Sequence, residues 1–190
     1  LSHSILLPGH EVGPKVTAVD AGQGTFSLYD LEAGSFVAAV TAGELRIDAA
    51  RFGLLNRPTL SGSVAFHVPP DRIWRKNSAD AYVEKAAIDY QGLYLHDNRV
   101  LFAAMIDGTE VLESALPADE PGVAVREIEL GPHDGSIWMC IAASDGIELT
   151  DDRRQAAWKD RQGTPRTANL SGAGPGIRME KVGSNVLLRC

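Results

Sequence analysis

The chain has 190 residues, 44% apolar and 23% charged, which suffices for one generous core without disulfides or metal and argues against long disorder. Its formal charge of −7, with 18 basic residues scattered along it, sets the overall field against a nucleic-acid groove. No run approaches the ~18 apolar residues of a membrane helix, so a soluble fold without a membrane span is expected.

From the N-terminus, residues 25–30, 35–41, 44–47 and 63–68 read as short strands separated by Gly- or Pro-containing connections. Residues 69–81 form a long polar loop that carries Trp74 between Arg72 and Arg75. The segment YQGLYLHDNRVLFAAMIDGTEVLES, residues 90–114, then reads as three antiparallel strands joined by two tight turns. An Asp97-Asn98 turn sets His96 opposite Arg99, Leu95 opposite Val100 and Tyr94 opposite Leu101. An Asp107-Gly108 turn sets Ile106 opposite Thr109, Ala104 opposite Val111 and Ala103 opposite Leu112. Residues 100–106 are apolar on both faces, which predicts a central strand covered on both sides.

Downstream, residues 124–130 alternate, and a turn at 132–135 leads into a strand over 136–142. The best helix is 151–161, with Thr150 as N-cap and Gly163 as stop, although Ala156, Ala157 and Trp158 are adjacent rather than helically spaced. Residues 163–176 read as loop or linker, and 177–181 with 185–189 as a closing hairpin. Many short strands with turns between them predict an all-β fold, an antiparallel β-sandwich of roughly 10–12 short strands with little helix. No internal repeat of fixed period appears, which disfavours a propeller or solenoid. The expected organisation is a sandwich over 1–143, an irregular segment and linker over 144–176, and a hairpin over 177–190 that starts or edges a further β region.

Two cysteines are present. Cys140 lies in an apolar run and reads as a small buried hydrophobe, whereas Cys190 is the last residue. There is no Cys-x-x-Cys-His haem attachment site. The chain opens on Leu1 without an initiator Met or signal-peptide pattern and stops directly after an apolar strand, so a piece of a larger protein is expected.

Among polar clusters, His96 beside Asp97 and opposite Arg99 could grip an anionic or hydroxylated ligand, or simply form a solvated hairpin end. Trp74 between two arginines suits stacking on a sugar ring or a partner, and equally suits anchoring its own loop. Trp138 reads as core. His3, His10, His67, His96 and His133 lie too far apart in sequence to signal zinc, so no metal is expected. The glycines around residues 20–24 precede a strand rather than the helix a phosphate loop needs. Asp151-Asp152 reads as a solvated acidic patch.

The residues of the meander carry a resemblance. Tyr90, Gly92, Tyr94, His96, Arg99, Val111 and Glu113 fit the pattern Y-x-G-L-Y-x-H-x-x-R-V followed by G-x-x-V-L-E. That pattern resembles an uncharacterised N-terminal domain of large secreted bacterial multidomain proteins, which also carry a sorbosone-dehydrogenase-like propeller and a c-type cytochrome module. The likeness spans residues 20–143, is good in the hairpins and looser elsewhere, and lacks an Arg and a Trp of the family's upstream segment. The resemblance implies an extracytoplasmic (periplasmic or secreted) β-rich module beside redox domains. It implies no cofactor in this chain, haem c in the parent protein, and no catalytic residues to carry over.

The expected function is therefore a non-catalytic module that binds a carbohydrate-like ligand or a neighbouring domain of the same polypeptide, using Trp74, Tyr94, His96 and Arg99. The alternative is a carbohydrate-active enzyme domain using a His/carboxylate pair among His67, His96, Asp89 and Glu113 on a concave sheet face. A third reading is a purely structural interaction domain.

Overall fold

Several strands run buried over three or more successive residues, whereas others alternate buried and exposed positions. The computed structural model describes all residues except 1, 4, 11, 48–56, 97, 98, 161, 162 and 175. The described residues hold sixteen strands, all paired antiparallel, and two single-turn 3-10 segments at Pro70–Arg72 and Lys85–Ala87.

Strands β1 (Ser2–His3), β2 (Val16–Asp20), β3 (Phe26–Asp30), β4 (Ser35–Arg46) and β5 (Thr59–His67) form the first sheet in sequence order. The two strands expected over 35–41 and 44–47 are one long strand, bent where the register shifts between Thr41 and Glu44 and Ala42 takes φ +48°. Gly62 on β5 permits that bend. A Cβ there would meet Val40, Gly43 and Thr41 atoms at 2.5 to 2.9 Å.

Strand β6 (Trp74–Lys76) leaves this sheet for the third one. The second sheet is the meander β7 (Ile88–His96), β8 (Arg99–Ile106), β9 (Thr109–Leu116) and β10 (Val125–Leu130). All six cross-strand pairs expected from the turns are observed, from His96 with Arg99 to Ile106 with Thr109. Asp107 and Gly108 both hold positive φ, +44° and +80°, as a primed hairpin turn requires. The Asp97-Asn98 turn lies outside the described residues. β8 is an inner strand, and Phe102, Ala103, Ala104 and Ile106 are all buried.

Strand β11 (Ile137–Ala143) pairs with β6 on one side and, on the other, with β16 (Asn185–Arg189), which pairs in turn with β15 (Arg178–Val182). Strands β12 (Glu148–Leu149), β13 (Gln155–Lys159) and β14 (Pro165–Asn169) make a small fourth sheet.

Four sheets thus stand where a two-layer sandwich was expected, an arrangement nearer to four propeller-like blades. It has no sequence period because the sheets differ in strand number and the third is assembled from distant segments. The helix expected over 151–161 is strand β13, whose residues alternate with Ala156 and Trp158 inward. The linker expected over 163–176 contains edge strand β14, opened by Pro165 at the first position, where a missing N–H costs no ladder bond.

Apolar side chains from the first three sheets share one core that includes Val16, Leu28, Val37, Ala104, Ile106, Ile137, Cys140 and Leu187. An aromatic group joins the first two sheets. Tyr29 stacks on Phe102 at 3.9 Å between ring centres, and Phe36 meets both edge-on. Burial pushes the Tyr29 phenol well above its ordinary range, so it stays neutral. A separate core of Ala142, Ile147, Ala156, Trp158, Met179 and Val186 binds the fourth sheet to the third.

Candidate functional site

A cleft of about 670 Å³ opens where the first, third and fourth sheets meet. The chain places its lining from six separate segments. His67 ends β5, and His10 sits in the short turn closed by its N–H to the Leu7 carbonyl at 3.0 Å. Their rings lie 4.8 Å apart and tilted by 58°. Arg72 comes from the 3-10 turn before β6 and Lys159 from the end of β13, both exposed. Trp158 and Phe66 supply aromatic wall.

The floor is fixed by hydrogen bonds among loop ends. The Ser144 hydroxyl donates to the Lys159 carbonyl at 2.6 Å, and the Ser144 N–H to the Ser184 carbonyl at 2.8 Å. The Ser184 hydroxyl donates to Asp145 at 2.8 Å. Asp160 accepts from the Thr164 N–H and from Arg166, which also reaches the Ser63 hydroxyl on β5 at 2.7 Å. Both carboxylates of the cleft are thus engaged by protein groups. The cleft can offer paired imidazoles, two cations, hydroxyls and aromatic faces, a set suited to a hydroxylated or anionic guest.

The four residues singled out from sequence do not converge. Trp74 is 3% exposed, packs in the main core and donates from Nε1 to the Ala33 carbonyl at 3.1 Å. It anchors its loop, and the expected stacking surface is not available there. Tyr94, His96 and Arg99 do share one face at the turn end of the β7–β8 hairpin, since His96 pairs with Arg99 and lies two residues from Tyr94. Tyr94 is 57% exposed, and Arg99 lies 3.5 Å from Glu127. Leu93 and Leu95 are exposed beside them on β7, an edge strand.

The residues named for an enzyme are dispersed as well. His67 lines the cleft, whereas Asp89 and His96 occupy opposite ends of β7. Glu113 is closed to solvent. It accepts from the Ser35 hydroxyl at 3.0 Å, the Phe36 N–H at 3.2 Å and Arg126 Nη2 at 2.8 Å. Among the described residues no three or more His, Cys, Asp or Glu gather as metal ligands, and no helix is long and apolar enough to cross a membrane. The cleft was not legible in sequence, because its residues are spread from Pro8 to Ser184.

These features define an all-β antiparallel protein whose described residues form a polar, aromatic-walled cleft and a hairpin with exposed apolar residues. Residues 27–113, from β3 to Glu113 on β9, match a family described as a domain of unknown function, DUF6797. Neither a curated protein nor a solved structure matches the chain.

Proposed function

We propose that the chain is a non-catalytic ligand-binding module of an extracytoplasmic multidomain protein associated with haem- or quinone-dependent dehydrogenases. It holds a carbohydrate-like ligand in the His10/His67 cleft and meets a neighbouring domain through the β7–β8 hairpin. The observation that carries the ligand assignment is the composition of the cleft. Aromatic rings and fixed hydroxyls line one concavity, the pairing of apolar face and polar fork that sugars require. Support for the neighbouring domain comes from Leu93 and Leu95, exposed on one face of an edge strand, with Tyr94 exposed on the other. The extracytoplasmic setting and the redox neighbours rest on the meander's resemblance alone.

Isothermal titration of the chain with a panel of oligosaccharides tests the ligand assignment. Binding that weakens in His67→Ala and Lys159→Ala supports it, and binding indifferent to both, or none across the panel, refutes it. Hydrolysis of any bound oligosaccharide that His67→Ala abolishes would instead favour the enzyme alternative, of whose named residues only His67 lines the cleft.

A further inference from the structure

Basic residues do not cluster in the sequence, but strand pairing clusters them in space. Arg178 on β15, Arg189 on β16, Trp138 on β11 and Arg75 on β6 are successive direct partners across the third sheet, and Tyr82 bridges to Arg75 beyond it. Direct partners point to one face, so cations and aromatic rings form a single row. The Arg189 guanidinium lies 5.2 Å from the Trp138 ring centre, and that of Arg75 lies 4.5 Å from the Tyr82 ring centre. The inner half is sealed around buried Arg75, while the side chains of Arg178 and Arg189 remain 45% and 37% exposed.

Two features of this outer half work against folding. Arg178 and Arg189 stand directly opposite each other, an arrangement that is destabilising for like charges. Arg153, whose carbonyl accepts the Met179 N–H at 2.8 Å, holds φ +56°, a left-handed conformation that L residues rarely adopt. All three guanidiniums converge on one oxygen of Glu180, at 2.8 Å from Arg178, 3.5 Å from Arg189 and 3.9 Å from Arg153. Three cations facing one carboxylate leave a local positive surplus on a chain of net charge −7. The nearby Asp152 carboxylate, kept ionised by the Thr150 hydroxyl and the Arg154 N–H, offsets only part of that surplus.

We propose that Arg153, Arg178 and Arg189 form an anion-binding corner for a carboxylate-bearing glycan, independent of the cleft. The planar guanidinium fork matches a carboxylate, and Glu180 shows which group these three arginines already accept. An acidic glycan carries one charge per acidic sugar and can approach an acidic protein. Duplex nucleic acid, with a charge every ~1.7 Å, is repelled by the remaining surface.

The test is affinity of the full chain for polygalacturonate at low salt, with Arg153→Gly, Arg178→Ser and their double variant. Each single change is expected to weaken binding roughly two- to fivefold and the double roughly tenfold, and added salt should release the wild type. Arg153→Gly relieves the left-handed backbone, so its unfolding midpoint should equal or exceed the wild type while its binding falls. Absence of wild-type binding, unchanged affinity in both arginine variants, or equal retention on duplex DNA would each overturn the site. The charge control Lys85→Ala, exposed and outside both sites, should bind polygalacturonate as the wild type does. If His67→Ala abolishes binding while both arginine variants keep it, the glycan sits in the cleft and the arginine corner is refuted.

Discussion

Arg126 on β10 caps Glu113 on β9 from inside the protein, through Nε at 3.1 Å and Nη2 at 2.8 Å, while the same Nη2 reaches the Ser35 hydroxyl at 2.6 Å. The pair therefore does more than join two neighbouring strands. It binds the second sheet to the start of β4 in the first. Removing one member strands the other charge without its partner, so Glu113→Gln and Arg126→Met are each expected to cost about 3–5 kcal/mol. The double variant should lose much less than the two losses combined. Urea unfolding of the three variants checks this, and additive losses would show that the two groups act separately.

The two thiols give a chemical readout of packing. Cys140 is buried on β11, between β6 and β16, and Cys190 is half-buried; burial pushes both thiols up to about 11. Only the thiolate alkylates, so iodoacetamide at pH 8 should label native Cys140 far more slowly than the unfolded chain. Mass spectrometry of timed samples measures this. Rapid native labelling of Cys140 would mean that the β11 core opens readily.

Asp30 links pH to stability. Its Oδ1 accepts the N–H groups of Glu32 and Ala33, yet desolvation by burial raises its carboxyl above the ordinary value. The folded chain therefore holds this proton to higher pH than the unfolded chain does. Stability from this group falls as pH rises from the unfolded value through the folded one. Asp30→Asn keeps the Oδ1 acceptor and removes that titration. Its advantage over the wild type should grow from about pH 4 upward, where unfolded aspartates ionise. Urea midpoints from pH 3 to 7 would show it, and a constant difference would exclude Asp30 as the cause.

Trp74 and Tyr94 should separate stability from docking. Trp74→Phe forfeits the hydrogen bond to the Ala33 carbonyl and is expected to cost about 1–3 kcal/mol, because the acceptor is left buried. Tyr94→Ala, on the open hairpin, should change stability by no more than ~0.5 kcal/mol. Paired thermal melts decide this, and the reverse order would contradict the burial of Trp74.

The meander was readable because its turn chemistry leaves little choice. Asp107-Gly108 fixes a primed turn, and every later pair in β8–β9 follows by counting. β13 was not, since Ala156, Ala157 and Trp158 in a row satisfy neither a helical nor a strand period clearly, and only the packing of Met179 and Val186 selects one. Trp74 was hidden by its charged neighbours. Arg75 looks like surface in sequence, yet it is buried with its guanidinium on the Ala79 carbonyl and the Tyr82 hydroxyl. The cleft and the arginine row arise from strands far apart in the chain, so no local pattern announces them.

The stretch that matches DUF6797 stops at Glu113, thirteen residues short of the guanidinium that neutralises it. A fragment trimmed to the matched limits would keep the aromatic stack of Tyr29, Phe36 and Phe102 but leave the Glu113 charge with only the Ser35 hydroxyl and the Phe36 N–H, and no cation, beside it. A fragment that folds on its own is therefore expected to extend at least through Arg126, and the matched boundary marks where the similarity in sequence ends rather than the edge of a self-sufficient body.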